Sequence, residues 1–160
     1  MAGPGARSPR KRGFRRILWP TDFSPTAKAA LPYAADLAAD HDAQLVLLHV
    51  LPVYSMYVPE VSGAVWVDIQ RKAKAAAAED LRRLAAQIKG LRVRTHTVLA
   101  EGVPFDQILR VARRLRCDLI VIATHGRTGL RHVFMGSVAE NVVRRAPCPV
   151  LSVRPPKLKG

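Results

Sequence analysis

Apolar positions along the chain alternate between short unbroken runs and longer stretches with helical spacing. Arg16–Pro20 (RILWP), Gln44–Leu51 (QLVLLHVL), Asp118–Ala123 (DLIVIA) and Pro149–Val153 (PVLSV) are almost wholly apolar. Runs of this length read as strands buried on both faces, the signature of a parallel sheet covered by helices. Arg92–Leu99 (RVRTHTVL) instead alternates polar and apolar residues, as a half-exposed edge strand does. Between these runs lie four helical patterns. Ser24 followed by Pro25 is a helix start, with Ser as N-cap and Pro at the first helical position. That helix is expected to reach about Asp40, with Ala27, Ala30, Leu31, Ala34, Leu37 and Ala38 on one stripe and a bend at Pro32. A second is expected from Val65 to about Lys89, with Ile69, Ala73, Ala77, Leu81, Leu84 and Ile88 inward and Gly90 as its stop. A third spans Pro104 to about Leu115, with Phe105, Ile108, Leu109 and Ala112 inward, and a fourth runs from about Ser137 to Arg145.

The order β-α-β-α-β-α-β-α-β is that of a doubly wound α/β sheet with right-handed crossovers. A strand order of 3-2-1-4-5 is expected, with helices on both faces. Pro52–Ala64 stands apart as an irregular segment too long for an ordinary connection. Its Tyr54, Met56 and Tyr57, with Trp66, fit either a cap over a ligand or partner, or a surface lid.

At 160 residues the chain suits one domain able to bury a sizeable core. A hydrophobic fraction of 49% with 24% charged residues is that of a globular protein. No apolar run approaches the roughly 18 residues of a membrane span. The basic N-terminus is not followed by an apolar stretch and a cleavage site, so the expected location is cytoplasmic and no membrane partner is expected. Cys117 and Cys148 each precede an apolar run and read as reduced, packed thiols rather than a bridge.

The net charge of +14 changes the picture less than its size implies. Six basic residues (Arg7, Arg10, Lys11, Arg12, Arg15, Arg16) fall before Asp22, and Arg154, Lys157 and Lys159 end the chain. Without these nine, seventeen basic side chains face twelve acidic ones, a net +5. Residues 1–13 read as a disordered basic tail, 14–154 as the folded domain and 155–160 as a short basic tail. The linear sequence shows no basic face within the domain. Residues 7–16 are therefore read as a solvated extension in preference to a nucleic-acid arm.

The candidate chemistry follows from topology. Open parallel sheets bind ligands at the carboxyl ends of their strands, where the strand order reverses. Here that point lies between the first and fourth strands. Pro20-Thr21-Asp22-Phe23-Ser24 follows the first; Thr124-His125-Gly126-Arg127-Thr128-Gly129 follows the fourth, with Gly136-Ser137 opening the last helix. Glycines allow close approach of the backbone to an anion, and N–H groups at a helix start favour phosphate. Gly136 and Ser137 are expected to supply such groups, and Arg127, Arg131 and His132 add positive charge. Asp22 accepts hydrogen bonds only, which suits a base amino group or a ribose hydroxyl. A tight turn whose glycines serve geometry alone is the alternative. Neither G-x-x-x-x-G-K-[ST] nor G-x-G-x-x-G occurs.

ILWPTDFS at the first strand, LVLLHV at the second and IVIATHGRTGLRHVFMGSVAENVVRRAPCPVLSV at the end resemble the universal stress protein family, over about residues 14–154. The resemblance implies a five-stranded, Rossmann-like fold of the adenine nucleotide alpha hydrolase type. It also implies ATP, with or without Mg2+, as ligand. The family's ATP-binding branch carries G-x2-G-x9-G-[ST]. Here Ala123 stands at the first glycine, Gly126 at the second, and Gly136-Ser137 complete it. By this resemblance Asp22 meets the adenine or ribose beside Pro20 and Thr21, and Val50 meets adenine through its backbone. Ile122, Ala123, Thr124, His125, Gly126, Arg127, Gly129, Gly136, Ser137 and Val138 line the rest of the site. It further implies a homodimer through Pro149–Val153, an apolar edge that is otherwise a liability.

Three other readings compete with a nucleotide-binding stress or signalling protein. A slow ATPase or phosphotransferase needs metal ligands and a water-orienting group. Asp22 is the one obvious carboxylate near the site, and His125 reads as a loop hydrogen-bonding group, so little turnover is expected. A nucleotide-free dimeric interaction module would retain the glycines as architecture. Nucleic-acid binding through the tails is the fourth. His49, ending a buried strand, reads as a core or loop-anchoring residue; His41, His96 and His132 lack metal-site spacing.

Overall fold

A computed structural model describes residues 13–53, 63–90, 92–124 and 135–154. The tails at 1–12 and 155–160 lie outside these residues, as do Tyr54, Met56 and Tyr57 and the loop residues His125, Gly126, Arg127, Gly129, Arg131 and His132.

Five strands form one parallel sheet: β1 (Arg16–Thr21), β2 (Gln44–Leu51), β3 (Arg94–Glu101), β4 (Leu119–Ala123) and β5 (Val150–Val153). Their order is β3-β2-β1-β4-β5, as expected from the sequence. The helices are α1 (Pro25–Lys28), α2 (Leu31–Asp40), α3 (Gly63–Lys89), α4 (Pro104–Arg114) and α5 (Ser137–Arg145). Successive strand residues point to opposite faces, so each strand feeds two cores. Ile17, Trp19, Leu45, Leu47 and Val121 pack against Ala34, Ala38, Leu81 and Leu84 of α2 and α3. Leu18, Val46, Leu48, Ile120 and Ile122 pack against Ile108, Ala112, Ala139 and Val142 of α4 and α5. This two-sided burial is why the central strands are apolar without alternation.

The first helical segment is broken rather than bent. α1 ends at Lys28 and α2 starts at Leu31, with Pro32 in the first turn of α2. Pro lacks the N–H that an interior helical position must donate, whereas the first turn has no intrahelical acceptor for it. Ser24 caps α1 as expected, its Oγ accepting from the Ala27 N–H at 3.1 Å. Ser24→Ala is expected to lower stability by about 1 kcal/mol, measured by urea unfolding.

α3 begins at Gly63, two residues before its expected start, and is longer than the sheet it covers. Its 27 residues rise roughly 40 Å at about 1.5 Å each, against roughly 26 Å for the eight residues of β3. Ala77, Leu81, Leu84 and Ile88 are buried as expected, but Ile69 is 49% exposed and Ala73 is exposed. The helical period was right there; the sheet ends before those turns. β3 is also shifted to Arg94–Glu101 from the expected Arg92–Leu99, because its pairing with β2 starts at Gln44↔Arg94.

Three αβ turns use a non-glycine residue in the left-handed region: Asp42 (φ 50), Arg92 (φ 57) and Arg116 (φ 51). Such a conformation costs an L-residue about 1–2 kcal/mol. Cys117 and Cys148 carry no disulfide. Burial pushes the Cys117 thiol up to about 12, with Cys148 and Asp118 adding to it, so the reactive thiolate is suppressed.

Candidate functional site

The sheet divides at its carboxyl end. β1 pairs with β4 at Ile17↔Leu119 and Leu18↔Ile120 only, whereas β1–β2 pairing runs on to Thr21↔His49 and β4–β5 pairing to Ala123↔Val153. Beyond Leu18 and Ile120 the two central strands therefore part company. The resulting crevice lies where the strand order reverses, the general ligand position of open α/β sheets.

One wall is the turn after β1. Pro20 and Thr21 end the strand and are buried, while Asp22 is half-buried. Phe23 has φ 63, an uncommon conformation for an aromatic residue. Local hydrogen bonds define the turn. The Phe23 N–H donates to Thr21 Oγ1 at 3.0 Å, and the Ser24 N–H to Asp22 Oδ1 at 3.0 Å. Asp22 thus has a structural task that a ligand-only reading of its carboxylate overlooks. Under the turn, His49 of β2 is 6% exposed. Its Nδ1 lies 2.8 Å from the Thr21 carbonyl oxygen, and its ring stacks on Phe23 with centroids 4.3 Å apart. A carbonyl only accepts, so Nδ1 carries the proton. The expectation of a loop-anchoring histidine is met. Which loop it anchors follows from the Thr21↔His49 register, which the sequence does not display.

The other wall is the end of β4 and the start of α5. The Gly136 N–H donates to the Thr124 carbonyl at 2.7 Å, and the Thr124 N–H to the Val153 carbonyl at 2.9 Å. This corrects the expectation that Gly136 offers a free amide, since closing the β4–α5 connection uses it. The first-turn amides of α5 belong to Ser137, Val138 and Ala139, and the N-cap residue, Gly136, has no side chain with which to cap them. They carry the positive end of the helix dipole. Gly136 and Val138 are half-buried and Ser137 is exposed. Ala123 is 6% exposed and packs in the α2/α3 core with Trp19 and Val153, which gives its methyl group a packing role. Ile122 and Val50 are buried in the opposite core. Pro20, Thr21, Asp22, Val50, Ile122, Ala123 and Thr124 are therefore gathered at the carboxyl ends of β1, β2 and β4, and Gly136, Ser137 and Val138 at the start of α5. His125, Gly126, Arg127 and Gly129 fall outside the described residues. Among the described residues no group of three or more His, Cys, Asp or Glu could hold a metal ion.

Comparison with known proteins agrees with this fold. Residues 13–154 match the universal stress protein family. Universal stress protein MJ0531 of Methanocaldococcus jannaschii is 35% identical over 144 residues, 90% of this chain and 84% of that protein. The solved structure of MJ0577 superposes with a TM-score of 0.82 at 27% identity, covering 91% of this chain and 99% of that one. UspA of Lactobacillus plantarum gives a TM-score of 0.75 at 31% identity, covering 88% and 97%. Two more distant structures share the fold. A universal stress protein in complex with cAMP has a TM-score of 0.66 at 23% identity, covering 89% and 98%. One from Arabidopsis thaliana with AMP bound has 0.65 at 22%, covering 89% and 93%.

Proposed function

Given that the chain belongs to the universal stress protein family, we propose that it binds an adenine nucleotide, ATP with or without Mg2+, as a stress-response or signalling protein of the cytoplasm. The observation that carries this reading is the parting of β1 from β4 after Leu18 and Ile120, with a hydrogen-bonded turn on one side and, on the other, the start of α5 with glycine at its N-cap. The Ser137 and Val138 amides and the Ser137 hydroxyl hold phosphate, with Gly126, Arg127 and Gly129 closing over it. Asp22 accepts from the adenine or ribose beside Pro20, Thr21 and Val50. Two proteins of this fold hold AMP and cAMP, which supports a shared adenine-nucleotide chemistry. The site holds nucleotide rather than turning it over. β5, the last strand of the sheet with Leu151 and Ser152 exposed, pairs with β5 of a second copy.

Native mass spectrometry of the gently purified protein, followed by calorimetric titration with ATP, tests this reading. A co-purified adenine nucleotide on a dimer is the expected result. Gly136 has φ −68 and ψ 153, a conformation open to any residue, so Gly136→Val leaves the backbone unstrained. Its branched side chain crowds the first-turn amides, and the Kd for ATP is expected to rise about tenfold, roughly 1.4 kcal/mol. No saturable ATP binding by the wild type would favour a nucleotide-free interaction module. Turnover near 1 s⁻¹ or faster, in the usual enzyme range, would favour an ATPase.

A further inference from the structure

Folding gathers an arginine cluster that is scattered in the sequence. At the amino ends of the strands, opposite the crevice, lie Arg15 and Arg16 at the start of β1, Arg94 at the start of β3, and Arg92 and Arg116 in the turns before β3 and β4. Arg113 and Arg114 end α4 at the same pole. All seven are exposed. The acidic side chains at this pole are Asp40, Asp42 and Asp118, two of them already engaged. Asp118 accepts from the backbone amides of Arg15 and Arg16, and Asp42 pairs with Arg94 at 3.6 Å. Among the described residues no ion pair holds Arg15, Arg92, Arg113, Arg114 or Arg116.

A second observation concerns where two of these arginines sit. Arg116 occupies the position after the C-cap of α4, its N–H bonded to the Arg113 carbonyl at 3.1 Å and the next amide, of Cys117, to that of Ala112 at 2.9 Å. This hydrogen-bond pattern calls for a left-handed residue, and glycine fills it most easily. Arg116 and Arg92 adopt that conformation regardless, with φ 51 and 57. At both turns the chain thus carries a cation where stability alone favours glycine. Arg113 and Arg114 also answer the negative end of the α4 dipole, so the two strained arginines are the more telling.

We propose that this pole is a binding surface for the phosphate backbone of double-stranded nucleic acid, without base specificity. The three strand spacings from β3 to β4 span about 14 Å, close to the roughly 12 Å width of a B-DNA major groove, so guanidinium groups can reach phosphates on both borders. The seven cations gathered here are arginine, whose planar fork matches phosphate in two-point contact. Among the described residues the turns carrying them present no exposed large apolar side chain, which a membrane surface would use, and no exposed aromatic ring for stacking single-stranded bases. The surface lies at the opposite end of the strands from the crevice and does not depend on nucleotide binding there.

Fluorescence anisotropy of a labelled duplex of about 20 base pairs, titrated with the full chain over a range of salt, tests the proposal. Wild type is expected to bind with log K falling linearly against log salt. The double variant Arg92→Gly/Arg116→Gly is expected to bind about tenfold more weakly near 0.1 M salt, with a slope shallower by about 2. Because glycine relieves both turns, its melting temperature should equal or exceed that of wild type. The proposal is overturned by no duplex binding in wild type, or by equal binding in the variant, which would assign the affinity to residues 7–12. Tighter binding to phosphatidylserine vesicles than to the duplex overturns it too.

Discussion

Trp19→Ala is expected to destabilise the protein by about 3–5 kcal/mol, a large part of the 5–15 kcal/mol typical of a domain. Trp19 is 0% exposed on the central strand β1, among Ile17, Ala34, Ala38, Leu45, Leu47, Leu81 and Val121. Truncation to a methyl group leaves a cavity bounded by two helices and a sheet, none of which can collapse into it without losing its own contacts. A second variant separates packing from polarity. The Trp19 indole N–H is buried without a hydrogen-bond partner among the described residues. Burying such a donor costs about 1–3 kcal/mol. Trp19→Phe removes that cost while keeping most of the ring, so the loss should stay below about 1.5 kcal/mol. Urea unfolding of the two variants side by side reads the difference. A Phe variant as unstable as the Ala variant would mean that the N–H is satisfied in solution, by a trapped water or by a residue outside those described.

Much of the architecture was legible because its determinants are local. Buried parallel strands need unbroken apolar runs, and Gln44–Leu51 matches β2 residue for residue. Ser137–Arg145 likewise matches α5 at both ends, fixed by Gly136 before it and by Pro147 and Pro149 beyond it. Where the outcome depended on a neighbour, the sequence was mute. Ile69 and Ala73 continue the apolar stripe of α3, yet only the length of β3 decides which turns find a sheet to cover. Gly136 looked like a phosphate donor because its spacing says nothing of the Thr124 carbonyl that folding brings to 2.7 Å. The arginine pole is the sharpest case. Arg15, Arg92 and Arg116 lie far apart in the sequence, and the parallel arrangement of the strands alone brings them to one end of the sheet.

His49→Leu is expected to lower stability by about 1–3 kcal/mol and to raise the Kd for ATP about tenfold. The stability loss comes from the Thr21 carbonyl, which loses the Nδ1 donor at 2.8 Å inside a buried site. The affinity loss follows from what that bond and the Phe23 stack hold in place. Phe23 sits at φ 63, a conformation that persists only when its surroundings over-determine it. Three contacts do so: the Thr21 Oγ1 bond to its amide, the Asp22 carboxylate on the next amide, and the His49 ring against its own ring at 4.3 Å. With the imidazole gone, the turn can relax toward an ordinary φ and carry Asp22 off the crevice. His49→Asn is the discriminating companion, because its amide nitrogen sits near the Nδ1 position and still donates to Thr21, while the stack is lost. Partial recovery of both melting temperature and affinity in His49→Asn assigns the effect to the hydrogen bond. Equal losses in the two variants assign it to the stacked ring. Wild-type stability and affinity in His49→Leu would show that the turn holds Asp22 in position without help from β2.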